Sequence, residues 1–279
     1  MNVFYLSLLL IITLIVVWRY LKAKRLKKIR QALSSAELTP EDREILERNV
    51  PIYHLLPDHL KTELIGSIYI FANEKNFVGC DGLEITREII ITIAAQACIL
   101  LLNKKTNYYP SLKTIYVYPS AFVSKQAESN GAVQSSKISV RTGESWFRGP
   151  VVLSWDDSAK GAFNHNDGKN VVFHEFAHQL DQEDNRMDGA PALGEKSQYN
   201  SWANVLSCEY DALQKRMHRS KGRRSLIDYY GASSPVEFFA VITEVFFERP
   251  KKMKKNHPEL YEELVGYYKV DPIVWFTKK

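Results

Sequence analysis

The stretch NVVFHEFAHQLDQE, residues 170–183, decides which kind of fold this chain adopts. Asn170 is a favourable helix N-cap, and the turn dipeptide Asp167-Gly168 stands just before it. Apolar residues recur along the stretch with the period of a helix, and they would bury most of its surface: Val171, Val172, Phe173, Phe176, Ala177 and Leu180. The pattern therefore predicts a helix that is packed between other elements.

This helix carries the motif HExxH, from His174 to His178. Two histidines four residues apart project from one helix face, so both rings can bind one Zn²⁺ at about 2.0 to 2.1 Å. Glu175 points to the side of that pair, where it can act as a general base on a water held by the metal. The competing interpretation is that the two histidines and the glutamate are ordinary polar residues of an amphipathic helix. A carboxylate between Phe173 and Phe176, however, needs a partner when it is buried. We predict one zinc ion per chain, with His174 and His178 as ligands and Glu175 as the base.

A catalytic zinc site needs a third protein ligand. The extended motif HExxHxxGxxH is absent, because Asp181 and Asp184 occupy its Gly and His positions, and this excludes a metzincin. Glu237 lies in the first turn of a later predicted helix. Its alternative role is structural, because Ser234 and Glu237 form the Ser-x-x-Glu pattern of a capping box. Glu244 shares that helix face two turns on, and Asp181 could bind the metal or hydrogen-bond a ligand histidine. The residues alone leave Glu237, Glu244 and Asp181 as candidates, in that order.

The surrounding pattern indicates an α+β fold, since short strands precede a largely helical half. Residues 151–155 are either an edge strand, along which an extended peptide could pair, or an interior strand. The predicted strands, which are β-branched or alternating, are Ile115–Tyr118, Lys137–Arg141 and Val151–Trp155. The predicted helices, which carry helical periodicity or cap signals, include residues 58–73, 86–103, 170–183, 201–219 and 235–248.

The charge distribution argues against a nucleic-acid-binding function. Of 37 Lys/Arg, seven lie in residues 1–30, which hold no Asp/Glu, so the remaining 30 face 32 acidic residues. A phosphate-binding surface needs a broad basic face, which a nearly neutral body does not provide. We therefore expect no nucleic-acid partner.

The N-terminus has the pattern of a membrane anchor. Residues 3–18, VFYLSLLLIITLIVVW, are followed by the seven Lys/Arg, whereas a signal peptide places its positive charge before the apolar run. We predict membrane contact through residues 3–22; a buried N-terminal helix and an unusual signal peptide are the alternatives. The positive-inside rule then gives a single-pass cell-membrane protein with a cytoplasmic catalytic domain. Three widely spaced cysteines agree with a reducing compartment, namely Cys80, Cys98 and Cys208.

Several segments together resemble the Mlc titration factor A family of bacterial zinc metallopeptidases. The resemblance spans roughly residues 50 to 250 and is far more specific than HExxH alone. The matching segments are GLEITREIIITIAAQACILL (82–101), IYVYPSAF (115–122), GESWFRGPVVLSWDD (143–157), VVFHEFAHQLDQEDNRMDGAP (171–191) and SPVEFFAVITEVFFERP (234–250).

The resemblance implies a zincin-like catalytic core, related to that of anthrax lethal factor. It implies that His174, His178 and Glu237 bind the zinc and that Glu175 is the base. It also implies that Tyr230 donates a hydrogen bond to the oxyanion of the reaction, as a phenol in a low-dielectric cleft can. The predicted organisation is a transmembrane anchor (1–22), a basic linker with a short helix (23–50), the zincin-like metallopeptidase domain (51–270) and a C-terminal tail (271–279).

The expected function is therefore that of a membrane-tethered zinc peptidase that faces the cytoplasm and cleaves a peptide or protein substrate. A function of another class stays open. Members of the resembled family are named for sequestering a transcriptional repressor, so zinc could instead stabilise a module that binds a regulatory protein. A complete HExxH favours catalysis, because a purely structural zinc site has no need of Glu175.

Overall fold

The computed structural model describes residues 2–104, 107–130, 133–141, 143–145, 149–219 and 225–277. Most of them are helical, and a 3-10 turn, Tyr229–Ala232, precedes the ninth α-helix. The helices are α1 (Asn2–Ser34), α2 (Pro40–Asn49), α3 (Ile52–Leu55), α4 (Asp58–Glu74), α5 (Arg87–Ile99), α6 (Trp155–Phe163), α7 (Val171–Asp181), α8 (Lys196–Arg219), α9 (Pro235–Glu248), α10 (Pro250–Asn256), α11 (Pro258–Tyr268) and α12 (Pro272–Trp275).

The strands form a small mixed sheet and a separate hairpin. They are β1 (Asn76–Gly79), β2 (Thr114–Tyr118), β3 (Phe122–Asn130), β4 (Val133–Arg141), β5 (Gly143–Ser145) and β6 (Val151–Ser154). The sheet order is β1-β2-β6-β5, in which β1, β2 and β6 are parallel and β5 is antiparallel to β6. Among the described residues, strands β3 and β4 pair only with each other. A largely helical chain with this sheet confirms the predicted α+β class.

Strand β6 is an interior strand, so the edge alternative for residues 151–155 is wrong. It pairs with β2 through the register Ile115 with Val151, and with β5 through Glu144 with Val152. The three residues of β5 therefore form the edge of the sheet beside the HExxH helix, against which they pack. Trp155 starts α6 instead of ending the strand.

Helix α7 lies in the middle of the apolar core, as its sequence pattern predicts. The ring of Phe176 lies 4.9 Å from that of Tyr109 and 5.6 Å from that of Phe71. Phe173 contacts Phe247 of α9 at 5.4 Å between ring centres. Since a fully buried large apolar side chain contributes about 1.5 to 3 kcal/mol, these contacts hold α7 firmly against its neighbours.

The N-terminal anchor prediction is wrong. Across the residues that the structure describes, no helix has both the length and the apolar character needed to cross a membrane. The apolar run of residues 3–18 extends over roughly 24 Å at about 1.5 Å per residue, against a hydrocarbon core of about 30 Å, and Arg19 follows it at once. This finding contradicts two predictions, namely membrane contact through residues 3–22 and a single-pass localisation with a cytoplasmic catalytic domain. The same helix continues to Ser34.

Candidate metal centre

The first turn of α7 is fixed by its N-cap. Asn170 Oδ1 accepts a hydrogen bond from the Phe173 backbone N–H at 2.9 Å, and Asn170 Nδ2 donates to the Gly161 carbonyl at 3.2 Å. From this start, His174 and His178 fall on one face, with ring centres 4.8 Å apart and ring planes nearly perpendicular. Both histidines are buried.

Glu237 of α9 faces both histidines. Its Oε2 lies 2.9 Å from His174 Nε2 and 3.5 Å from His178 Nε2. Ser234 Oγ accepts the Glu237 backbone N–H, as in a capping box, while the Glu237 carboxylate contacts the histidines. The three side chains thus offer two imidazole nitrogens and one carboxylate oxygen, all within 4.8 Å of one another.

This arrangement fits a zinc ion. Four ligands at about 2.0 to 2.1 Å in a tetrahedron lie roughly 3.3 to 3.4 Å from one another, so the separations of 2.9 and 3.5 Å need only small adjustments. Two histidines and one carboxylate are also a donor set that catalytic zinc uses. In the part of the chain that the structure describes, this is the one group of His, Cys, Asp and Glu that converges closely enough to hold a metal.

The electrostatics of the three groups are tightly linked. Burial alone would raise the pKa of Glu237, but hydrogen bonds from His174 and His178 outweigh it and hold the pKa well below its ordinary range. Burial opposes a charge on His174, yet its hydrogen bonds to Glu237 and Glu244 raise its pKa well above the usual value. For His178, burial dominates and lowers the pKa. Glu237 is therefore an anion and His178 is neutral near pH 7, whereas His174 between its two carboxylates holds a proton that a bound metal would have to displace.

Glu175 lies beside this group and is only 5% exposed. Strand β5 passes so close to Glu175 that a Cβ atom added to Gly143 would lie 2.5 Å from Glu175 Oε1. Gly143 is therefore needed for the edge strand to approach the carboxylate. Gly143 is the first residue of segment 143–157, one of the segments that carry the family resemblance. Its contact with Glu175, however, cannot be inferred from local sequence.

Tyr230 lies at the open side of the site. It sits on the 3-10 turn, where Asp228 Oδ1 accepts its backbone N–H at 3.0 Å. Tyr230 is 54% exposed, and its ring centre lies 5.8 Å from that of His174. Asp228 also pairs with Lys169 at 3.1 Å, which ties the turn to the segment before α7. Its neighbour Tyr229 packs against the core instead.

A cavity of about 590 Å³ opens onto these residues. His174, Glu175 and Tyr230 line it together with Gly143 of the edge strand. Its volume falls within the range of about 300 to 1,000 Å³ that is usual for ligand sites. The cavity can therefore admit a substrate of several heavy atoms next to His174 and Glu175.

Comparison with known proteins places this chain in a family. The family model described as glucose-regulated metallo-peptidase M90 matches residues 22–269. The chain belongs to this M90 family. The uncharacterized protein slr2042 of Synechocystis sp. is 41% identical over 239 residues, which cover 85% of this chain and 86% of the relative. Mlc titration factor A of Escherichia fergusonii and that of Escherichia coli O7:K1 are each 28% identical over 228 residues, 81% of this chain and 84% of the relative. The predicted resemblance is confirmed.

The other two ligand candidates of this M90 chain lie outside the converging group. Glu244 is on the opposite side of the His174 ring, with Oε1 at 2.8 Å from Nδ1. Asp181 Oδ2 accepts the Gly189 backbone N–H at 2.9 Å, and burial raises the pKa of Asp181 to about 6. Gly189 has φ +80° and lies against Pro235, so Asp181 holds the loop after α7 against the start of α9.

A second buried carboxylate of α9 stabilises the start of α7. Glu248 Oε2 accepts the backbone N–H groups of Gly168 at 2.8 Å and Lys169 at 3.1 Å. Glu248 is only 2% exposed, and burial raises its pKa from 4.5 to about 9. The folded M90 chain therefore keeps a proton on Glu248 at neutral pH, whereas the unfolded chain releases it.

Glu248→Gln is expected to reduce the pH dependence of stability. Because the folded pKa is raised, the stabilisation is fully present below about pH 4.5 and is lost as pH rises towards about 9. Glutamine keeps a carbonyl acceptor but does not ionise, so urea titrations should show a smaller fall in unfolding free energy between about pH 5 and about pH 9. Glu259→Gln, an exposed site on α11, should match the unmodified protein. Parallel pH curves for Glu248→Gln and the unmodified protein would contradict the assignment.

Proposed function

We propose that this chain is a zinc-dependent peptidase with a zincin-like catalytic core. One Zn²⁺ per chain would be held by His174, His178 and Glu237. The observation that carries this proposal is the convergence of those three side chains next to Glu175, where His174 and Glu175 line a cavity of about 590 Å³. Membership of a metallo-peptidase family supports it.

The chemistry divides between the metal and the chain. When bound, zinc supplies Lewis-acid activation of water and of the scissile carbonyl. The Glu175 carboxylate removes a proton from the attacking water and then delivers it to the amide nitrogen that leaves. Its burial against β5 keeps it fixed and shields it from bulk solvent. The Tyr230 hydroxyl donates a hydrogen bond to the oxyanion that develops on the carbonyl oxygen.

The edge strand would orient the substrate. Strand β5 pairs with β6 on one side, and within the described part of the chain it has no strand partner on the other. An extended peptide can add to such an edge through backbone hydrogen bonds. Since Gly143 of β5 lies against Glu175, a peptide paired there would bring a carbonyl close to the base.

Tyr230→Phe is expected to lower kcat by about 100-fold with little change in zinc content. The substitution removes one oxyanion donor, and such a loss typically costs about 10² to 10³ in kcat. Steady-state kinetics and metal analysis would test this, with Tyr229→Phe on the same turn as the matched control. A Tyr230→Phe enzyme with unchanged kcat would remove Tyr230 from the mechanism.

The proposed function itself is tested by digesting a peptide library with the full-length protein. Cleavage products should appear, disappear with a zinc chelator and return when Zn²⁺ is added back. A zinc-loaded protein that cleaves no peptide in the library would contradict the proposal.

A second candidate function is binding of a regulatory protein, such as a transcriptional repressor. The relatives named Mlc titration factor A favour it, since that name describes titration of a protein called Mlc. Zinc would then stabilise the fold of a docking module. Retention of regulator binding together with a complete absence of cleavage would favour this function.

A further inference from the structure

Three carboxylates follow one another along one face of α9. Glu237, Glu244 and Glu248 are separated by seven and four residues, which brings each back to nearly the same side of a helix. All three contact α7 or the three residues that lead into it. The proposed function uses only Glu237, so the position of Glu244 calls for its own explanation.

Both carboxylate oxygens of Glu244 make hydrogen bonds to α7 or to its N-cap residue. Oε1 lies 2.8 Å from His174 Nδ1, and Oε2 accepts the Asn170 backbone N–H at 2.6 Å. The Glu244 side chain is 11% exposed, so water competes little for these bonds. Glu244 therefore joins the His174 ring to the N-cap of the same helix.

This contact selects the state of the ring. A carboxylate accepts only, so it favours the tautomer with the proton on Nδ1 and leaves the Nε2 lone pair for a metal. Nε2 is the atom that faces Glu237 and His178. His178 has no such support, because its Nδ1 has no hydrogen-bond partner among the described residues.

We infer that Glu244 is a positioning residue, which fixes the tautomer and rotation of His174 for the metal. The inference rests on the proposed function, because it requires a metal at His174, His178 and Glu237. Carboxylates that orient a ligand histidine in this way typically contribute about 10-fold to 100-fold in metal affinity.

Glu244→Gln tests this with almost no change in shape. Glutamine offers one acceptor and one donor group, whereas two donors, Asn170 N–H and His174 Nδ1–H, face this position. If the amide oxygen keeps the Asn170 bond, its NH₂ group turns to His174 and favours the tautomer with the proton on Nε2. That tautomer has no lone pair on Nε2, the atom that faces the metal position. Zinc affinity should fall by about 10-fold to 100-fold.

The measurement is the zinc Kd of the full-length protein, determined by competition with a chelating dye. Long-range ¹H–¹⁵N spectra report the His174 tautomer independently of hydrolysis, and thermal unfolding of the metal-free protein reports the fold. The matched control is Glu248→Gln, which lies one turn further on α9 and bonds the Gly168 and Lys169 amides. Its zinc Kd should stay within about threefold of the unmodified value, well below the loss expected for an orienting carboxylate.

The outcomes separate this inference from the proposed function. Weaker zinc binding with an altered His174 tautomer in Glu244→Gln alone supports it. Tight zinc binding by both the unmodified protein and Glu244→Gln overturns the inference and leaves the proposed function intact. An unmodified protein that binds no zinc overturns both. Should Glu244→Gln fail to fold, Glu244→Asp decides, since it keeps both acceptors but withdraws them by one methylene; unchanged zinc affinity there overturns the inference.

Discussion

Glu175→Gln should lower kcat by about three orders of magnitude while the protein keeps its zinc and its fold. The amide cannot take a proton from the attacking water, and Glu175 is not among the three side chains that converge on the metal position. Glutamine has nearly the same size, so the close approach of Gly143 is preserved. Kinetics on a peptide substrate, metal analysis and thermal unfolding on one preparation would give all three quantities.

The control for this result is Glu259→Gln, which changes charge by the same amount at an exposed position of α11. It should keep the kcat of the unmodified protein. Undiminished turnover in Glu175→Gln would exclude Glu175 as the base of the proposed mechanism.

Glu237→Ala should release most of the zinc. The substitution leaves two imidazoles and removes the carboxylate that contacts both of them. Loss of a direct ligand should weaken binding by more than the roughly 100-fold that loss of an outer partner costs at most. Metal analysis after dialysis should then fall from about one zinc per chain to a small fraction of that.

Glu259→Ala, on the exposed side of α11, provides the comparison and should retain its zinc. Full zinc retention in Glu237→Ala would reassign the third ligand. Glu244 would be the next residue to replace, because it is the other carboxylate within hydrogen-bond distance of His174.

The helices of the site could be predicted because their signals are local. The prediction of residues 235–248 coincides with α9, and that of residues 170–183 differs from α7 by one or two residues at each end. Asn170 and Ser234 act as the N-caps that their positions indicate. Helical periodicity and cap residues are properties of neighbouring positions, so one sequence is enough to recognise them.

The remaining features depend on contacts between distant residues. Glu237 and Glu244 lie on one face of one helix, so periodicity cannot tell which of them meets His174 Nε2 and which meets Nδ1. Strands β1 and β5 have four and three residues, and their pairing with neighbours defines them more than their composition does. The anchor prediction failed because the apolar run of residues 3–18 is short for a membrane span. The prediction reached the needed length only by including the basic residues that follow the run.

The metal position joins side chains that lie 63 positions apart in sequence, from His174 to Glu237. A growing chain therefore presents both histidines well before it can present the carboxylate. If zinc binds here as proposed, it would find only His174 and His178 until α9 docks on α7, and its capture would become tight only after this long-range contact forms. Zinc uptake followed over time during refolding would accordingly report when α7 and α9 meet.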